Sequence, residues 1–133
     1  MGVKVKASLG TEKYYTEVIA GENKLITDEP IDKGGGNKGF NPFEILATSL
    51  ASCTAATLRM YIDRKGWDIP QINVEVELEN YPLTKMAQFS RVIDFGATEI
   101  SEEMKDKLFK IADACPIHKI LTNDIEVLTK ISK

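Results

Sequence analysis

Asn41-Pro-Phe-Glu-Ile-Leu-Ala-Thr-Ser-Leu-Ala-Ser-Cys53 opens a helix that we expect to run to Lys65. Asn41 is a favourable N-cap, the proline suits the first helical position, and Gly66 can end the helix. At 1.5 Å per residue such a helix is roughly 35 Å long. Small residues surround much of it, namely Ala47, Ser49, Ala51, Ser52, Ala55 and Ala56. Because a helix that is apolar on most sides should be buried on most sides, we expect a homodimer.

The composition is that of a soluble globular protein. The chain has 133 residues, of which 43% are hydrophobic and 28% charged, so we expect one domain over residues 1–133 with a core of its own. A net charge of -3 with scattered lysines provides no basic face, which predicts no nucleic-acid partner. The apolar run Ile45–Leu58 is too short to span a bilayer, and the N-terminus lacks the pattern of a signal peptide. We therefore expect a cytoplasmic protein without a membrane partner.

The residues before the helix predict a small antiparallel sheet. Segments rich in β-forming residues are separated by turn signals at Gly10-Thr11 and Gly21-Glu22. The predicted strands are Lys4–Leu9, Lys13–Ala20 and Asn23–Asp28. Four glycines between Asp32 and Gly39 predict a flexible connector, because the Gly-Lys-Ser/Thr ending of a phosphate-binding loop is absent.

The residues after the helix predict a β-hairpin, a second helix and a last strand. Ile72–Glu79 alternates apolar and acidic residues, and Ala87–Phe95 can pair back on it. Ser101 can cap a helix over Glu102–Ala114, and Ile125–Ile131 is typical of a final strand. The predicted order, βββ-α-ββ-α-β, is an α+β fold with antiparallel strands packed on helices.

Two cysteines are the candidate chemical groups. Cys53 lies on the long helix, where the hydroxyls of Ser49 and Thr57 share its face and can donate hydrogen bonds to a thiolate. Packing as a small core residue is the alternative for Cys53. Cys115 precedes a proline at a predicted helix start, where unpaired backbone N–H groups favour the thiolate. His118 is either a proton donor or charge partner for that thiol, or a surface imidazole.

Metal binding and a standing disulfide are both disfavoured. In a reducing compartment the cysteines should be free thiols or form a transient disulfide. Cys53, Cys115 and the single histidine, His118, would give three zinc ligands, one short of a closed site. The absence of a CxxC motif also disfavours a general thiol oxidoreductase. We expect no metal and no cofactor.

Both cysteine contexts resemble those of the OsmC/Ohr family. The resemblance is carried by the segment from Asn41 to Cys53, by Arg64-Lys-Gly-Trp67 and by Ala114-Cys-Pro-Ile-His118. Asp28-Glu-Pro30 and the Gly-rich segment extend it over essentially the whole chain. The resemblance implies the OsmC-like fold, an intertwined homodimer with long central helices packed between antiparallel sheets.

The resemblance also implies a reaction. In the peroxidase members a thiolate at the position of Cys53 attacks an organic hydroperoxide and becomes a sulfenic acid. The thiol at the position of Cys115 then forms a disulfide with it, which a small dithiol of the dihydrolipoyl type reduces. The implied partners are thus a hydroperoxide and a dithiol reductant. Apolar side chains could receive the peroxide, although core packing explains them equally: Phe40, Phe43, Met60 and Tyr61.

The chain departs from the family pattern at the residues that activate the thiolate. Peroxidase members carry a glutamate directly after Asn-Pro, whereas Phe43 stands there in this chain and Glu44 follows, about 180° around the helix from Cys53. They also carry an arginine in the N-terminal sheet or loop. The three arginines of this chain all lie downstream, at Arg59, Arg64 and Arg91.

The charge of the missing arginine could come from Lys33 or Lys38, but an ammonium does not reproduce a bidentate guanidinium. Two functions therefore stay open. One is a thiol-dependent organic hydroperoxide reductase-like redox protein that uses Cys53 and Cys115. The other is a non-catalytic or small-ligand-binding OsmC-like dimer in which the cysteines only pack.

Overall fold

The computed structural model describes residues 2–132, and their order of elements confirms the α+β class. The strands are β1 Lys6–Leu9, β2 Thr16–Ala20, β3 Asn23–Thr27, β4 Asn73–Tyr81 and β5 Met86–Asp94. The helices are α1 Pro42–Lys65, α2 Glu102–Asp113 and α3 Pro116–Leu121, and short 3-10 turns occupy Ile31–Lys33 and Pro82–Thr84. Two compact units divide the chain, one ending at Leu46 and the other beginning at Ala47.

The N-terminal unit contains an antiparallel sheet of β1, β2 and β3, in that order. The predicted turn at Gly21-Glu22 joins β2 to β3, and Gly21 takes a φ of 62°, where glycine avoids the steric cost of a side chain. The link between β1 and β2 is longer than predicted, because β2 begins at Thr16 rather than at Lys13.

The Gly-rich segment is ordered by one buried carboxylate, so the prediction of a flexible connector is wrong. Asp28 is 2% exposed, and its carboxylate accepts backbone N–H groups of Glu29 at 2.8 Å, Tyr14 at 2.9 Å, Lys38 at 3.1 Å and Gly36 at 3.4 Å. Burial raises the pKa of Asp28, but the four donors together lower it by a larger amount, so the net pKa is below its usual value.

The start of α1 is capped reciprocally, and the predicted helix bounds are confirmed. The side chain of Asn41 accepts the N–H of Glu44 at 2.9 Å, and the Glu44 carboxylate accepts the N–H of Asn41 at 2.8 Å. At the other end Gly66 has a φ of 69° and donates its N–H to the carbonyl of Asp63.

In the C-terminal unit α1 buries one stripe of residues at a spacing of four, consisting of Leu50, Thr54, Leu58 and Ile62. Leu58 and Ile62 belong to a core cluster that also contains Ile69, Leu108 and Ala112. Several apolar side chains on other faces of α1 are exposed, in contrast to the burial predicted for most of its circumference: Phe43, Leu46, Ala56 and Met60.

By length and composition alone, α1 could cross a membrane, since the whole helix is longer than the run Ile45–Leu58. Core helices of soluble proteins meet the same criterion. In the C-terminal unit α1 supplies part of the hydrophobic core, as core helices of soluble proteins do.

The predicted hairpin is formed by β4 and β5, paired antiparallel from Asn73 opposite Asp94 to Tyr81 opposite Met86. Along β4 half-buried Val and Leu residues alternate with exposed Glu residues, as predicted. On β5 the inward side carries Phe89, Arg91 and Ile93.

The Ser101 hydroxyl accepts the N–H of Met104 at 3.2 Å, which confirms the predicted cap of α2. A short helix, α3, follows Cys115. The strand predicted at Ile125–Ile131 is not formed, since residues 124–132 belong to no helix or strand in the described chain. A strand needs a neighbouring edge to pair its backbone groups, and none of the five described strands pairs with this segment. Its apolar side chains are exposed, at Ile125, Val127, Leu128 and Ile131.

Candidate active site

The two cysteine side chains lie against each other in the C-terminal unit. Cys53 comes from the middle of α1, and Cys115 is the N-cap of α3. Both are free thiols, and each thiol affects the pKa of the other. Cys115 is fully buried at 0% exposure, whereas Cys53 is half-buried. A reagent from solvent therefore meets Cys53 first.

Polar groups near Cys115 lower its pKa. Burial raises the pKa of Cys115, but the thiol of Cys53, the backbone N–H groups of His118 and Ile117 and the hydroxyl of Thr54 lower it, and the net pKa is below its usual value. The two N–H groups belong to the first turn of α3, where no carbonyl within the helix can accept them. The pKa of Cys115 thus shifts in the direction that was predicted for this helix start.

Cys53 has the opposite bias. Burial raises its pKa, and so do the hydrogen bond to Cys115 and the charge on that sulfur. The N–H of Ile117 and the hydroxyl of Thr57 act against this, but the net pKa stays above its usual value. Because the two thiols interact, their two protons are lost in steps that belong to the pair.

Arg91 contacts the surroundings of the thiol pair from β5. Its side chain is 12% exposed. Nη1 donates to the hydroxyl of Thr54 at 3.0 Å, and Nη2 donates to the carboxylate of Asp113 at 2.8 Å and to Nδ1 of His118 at 3.2 Å. A guanidinium has only donors, so in this contact Nδ1 of His118 is the acceptor.

Arg91 and Asp113 were not predicted from the sequence as site residues, because the family pattern places its arginine in the N-terminal sheet or loop. The alternation of β5 nevertheless contains a signal for Arg91. Phe89, Arg91 and Ile93 share the inward side of the strand, and an arginine between two apolar inward residues indicates a buried charge with partners. His118 also differs from its predicted role, because its backbone N–H contacts Cys115 while its ring contacts Arg91.

The other charged residues considered for the site take part in other structural features. In the N-terminal unit the Lys38 ammonium lies 2.6 Å from a carboxylate oxygen of Glu12, Glu44 caps α1, and Lys33 ends a 3-10 turn. On α1 Arg59 donates to Asp63 at 3.2 Å and to the carbonyl of Ile69 at 2.8 Å. These contacts belong to local structure.

The apolar residues considered for peroxide binding divide into two groups. The ring of Tyr61 packs edge-on against Trp67 with centroids 5.6 Å apart, and both rings lie against the core cluster. Core packing therefore accounts for Tyr61. Phe40, Phe43 and Met60 are exposed. Among residues 2–132 no group of three or more His, Cys, Asp or Glu side chains is placed to hold a metal ion.

A pair of interacting cysteines, one on a long helix and the other at a helix start, defines a two-cysteine thiol protein with an α+β fold. The family model of OsmC-like protein matches residues 35–130, so the chain belongs to the OsmC-like protein family. None of the curated protein sequences matches the chain significantly.

Solved structures share the fold. A protein from Psychrobacter arcticus 273-4, described as an osmotic stress induced and detoxification response protein, is 26% identical with a TM-score of 0.77, covering 90% of this chain and 89% of that chain. An organic hydroperoxide resistance protein OsmC from Legionella pneumophila is 21% identical with a TM-score of 0.64 and coverages of 92% and 90%. The organic hydroperoxide resistance protein OhrB of Bacillus subtilis is 19% identical with a TM-score of 0.62 and coverages of 93% for both chains.

Proposed function

We propose that the protein is a thiol-dependent organic hydroperoxide reductase in which Cys53 reacts with the peroxide and Cys115 resolves the product. The observation that carries this proposal is the contact between the two free thiols, with Cys53 half-buried and Cys115 fully buried. The descriptions of the Legionella and Bacillus proteins as organic hydroperoxide resistance proteins supply the substrate class.

The reaction proceeds in two steps that need only the two sulfurs and the substrate. The Cys53 sulfur attacks the terminal oxygen of ROOH, an S–O bond forms, the O–O bond breaks, and the thiol proton ends on the alcohol ROH. The Cys115 thiolate then attacks the sulfur of the Cys53 sulfenic acid, forming the disulfide and releasing hydroxide, which takes up a proton as water. A small dithiol returns both cysteines to the reduced state by thiol–disulfide exchange.

Cys115 is also suited to activate Cys53. The two thiols interact and Cys115 has the lower pKa, so Cys115 can accept the Cys53 proton as Cys53 attacks and pass it to the leaving alkoxide. This arrangement supplies a base for the attack although the glutamate after Asn-Pro is absent.

The alternative function, a non-catalytic or small-ligand-binding OsmC-like dimer, has one observation in its favour. The pKa of the accessible thiol, Cys53, is raised, and burial is the first cause. A groove of about 500 Å³ between α1 and the β4–β5 hairpin would be the candidate ligand site; it is lined by Ala51, Ala55, Ile72 and Val92, among other residues. Cys53 is not part of its lining.

We further propose that the protein acts as a homodimer in the cytoplasm. Exposed apolar side chains on α1, including Phe43, Leu46 and Met60, support a second chain packing on this helix. The exposed apolar residues of the unpaired segment 124–132 support the same conclusion.

Steady-state reduction of cumene hydroperoxide with a dihydrolipoyl-type dithiol tests the function. Cys53→Ser should abolish turnover, and Cys115→Ser should stop after one oxidation with Cys53 trapped by dimedone as a sulfenic acid. Ser52→Ala is the matched control, because Ser52 is the exposed neighbour of Cys53 on α1 and bonds only the Thr48 carbonyl of its own helix. Unchanged turnover in Cys53→Ser would sink the proposal.

A further inference from the structure

One guanidinium bonds residues that flank both cysteines. Arg91, on the inward side of β5, donates from Nη1 to the hydroxyl of Thr54 at 3.0 Å, and Thr54 follows Cys53 directly on α1. From Nη2 it donates to the Asp113 carboxylate at 2.8 Å and to Nδ1 of His118 at 3.2 Å. Asp113 lies shortly before the second cysteine and His118 shortly after it, so these residues enclose a turn, 113–118. The three hydrogen bonds, named here the Arg91 bridge, therefore join the helix that carries one cysteine to the turn that carries the other.

We propose that Arg91 is a positioning residue: its bridge holds the 113–118 turn, which carries Cys115, against α1 and so keeps the two sulfurs in reach of each other for disulfide formation. The consequence for peroxide reduction rests on the proposed function, because the disulfide forms in the second step of that reaction. The bridge itself consists of hydrogen bonds that the structure shows, and it acts on any reaction that joins the two sulfurs.

On α1 the bridge ends at a fully buried group. Thr54 is 0% exposed and belongs to the buried stripe of α1, one turn from Leu50. Its hydroxyl donates to the Leu50 carbonyl at 2.7 Å, so its oxygen accepts the N–H of Arg91 while its hydrogen is already in use. With donor and acceptor both engaged, the hydroxyl has one orientation. The bridge thus begins at a fixed point of α1, next to Cys53.

At its other end the bridge holds a short helix. None of the six residues of α3 is fully buried, and residues 124–132 farther along the chain belong to no helix or strand. Half-buried side chains at Ile117 and Leu121 give α3 apolar contacts, which have no preferred direction. The hydrogen bond from Arg91 to the His118 ring is directional, so it can fix where α3 lies.

A lysine cannot replace this arginine fully. The planar fork of Arg91 presents two nitrogens at a fixed separation, one to Thr54 and the other to the 113–118 turn. An ammonium on a flexible stem can still pair with the half-exposed Asp113, but it cannot hold the three partners in one geometry. The comparison of lysine with methionine at this position therefore separates the charge of Arg91 from its geometry.

Reaction of the reduced full-length protein with dipyridyl disulfide follows the joining of the sulfurs without a peroxide. The Cys53 thiolate attacks one sulfur of the reagent, its S–S bond breaks, and a first pyridinethiolate leaves and takes up a proton as pyridinethione. The Cys115 thiolate then attacks the Cys53 sulfur of the mixed disulfide and releases the second pyridinethione. The protein loses two protons and two electrons, which the reagent gains. Absorbance of the released thione resolves the two phases.

The bridge predicts an effect on the second phase. Arg91→Met should slow it roughly tenfold, because the attacking sulfur is no longer held in place. The first phase should slow less, since it needs only Cys53 and the reagent. Arg91→Lys should recover part of the second rate. Arg59→Met is the matched control, because Arg59 also bonds a carboxylate and a carbonyl but none of the partners of Arg91, and it should react like wild type in both phases.

The outcomes that overturn the bridge differ from those that overturn the proposed function. A folded Arg91→Met protein with an unchanged second phase, or with both phases slowed equally, sinks the bridge and leaves hydroperoxide reduction untouched. Wild type that releases a single thione sinks both. A slowed second phase stands even if no hydroperoxide is turned over. If Arg91→Met does not fold, Thr54→Val decides, because it removes the acceptor on α1 and keeps the arginine; an unchanged second phase in that variant contradicts the bridge.

Discussion

Cys53 and Cys115 influence each other's pKa: the more exposed thiol, Cys53, has the raised pKa, and the buried thiol, Cys115, has the lowered one. Cys53 is reachable but has a raised pKa, whereas Cys115 has a lowered pKa but is fully buried. A reactive thiol needs both access and ease of ionisation. In the proposed reaction the two thiols combine access with ease of ionisation, because the buried sulfur can accept the proton of the accessible one.

Removing Cys115 should make Cys53 easier to ionise. Burial is the first cause of the raised pKa of Cys53 and the interaction with Cys115 is the second, so Cys115→Ala should lower this pKa towards its usual value. Alkylation of Cys53 by iodoacetamide at mildly alkaline pH should then be several-fold faster than in wild type. Peptide mass spectrometry over a pH series measures the rate, and an unchanged or slower reaction in the variant would contradict the contribution of Cys115 to the raised pKa of Cys53.

Gly39 should not tolerate a side chain. A Cβ at Gly39 would lie 2.3 Å from the carbonyl oxygen of Ile26, which forces backbone to move. Gly39→Ala should lower the free energy of unfolding by about 2–4 kcal/mol, measured by urea denaturation. Gly10→Ala is the control, because nothing lies within 4 Å of its Cβ, and it should change stability by about 0.5 kcal/mol or less. Equal effects of the two substitutions would contradict the close approach of Gly39 to β3.

Asp28 should make the stability of the protein sensitive to acid. Its pKa is lower in the folded chain than the ordinary value of 3.8, so its stabilising contribution is complete above that pH and is lost as the pH falls through the folded value. Asp28→Asn should lower the melting temperature at pH 7, and the difference from wild type should shrink below about pH 4. Asp32→Asn, at an exposed site nearby, is the control. A difference that stays constant down to acid pH would exclude the ionised carboxylate as its cause.

The proposed dimer should depend on the exposed face of α1. Met60→Glu places a charge among exposed apolar side chains of that helix and should convert a two-chain species into monomers in sedimentation equilibrium. Phe109→Glu is the matched control, since Phe109 is a similarly exposed apolar residue on α2. Dissociation by the Phe109 substitution alone would place the interface elsewhere.

The sequence predicted the elements whose signals are local. Asn41 and Gly66 mark the ends of α1, Ser101 marks the start of α2, and the alternation of β4 gives its inward face. The two cysteine contexts likewise predicted a thiol at a helix start. These features depend on neighbours within a few residues, so periodicity and capping suffice to find them.

The contacts of Arg91 could not be read in the same way. It lies 37 residues from Thr54, 22 from Asp113 and 27 from His118 along the chain, and only the packing of β5 against three helices brings them together. The ordering of the Gly-rich segment by Asp28 is a further long-range effect, since one of its donors is Tyr14. The missing strand at 125–131 has the same origin, because a strand is completed by a partner rather than by its own sequence.

The most direct test of the central proposal is the intact mass of the reduced protein after exposure to one equivalent of cumene hydroperoxide. Formation of a Cys53–Cys115 disulfide predicts the loss of two hydrogen atoms per chain, reversible by a dithiol, with one added oxygen instead in Cys115→Ser. Retention of both free thiols at unchanged mass would contradict the proposed redox function and favour the binding alternative.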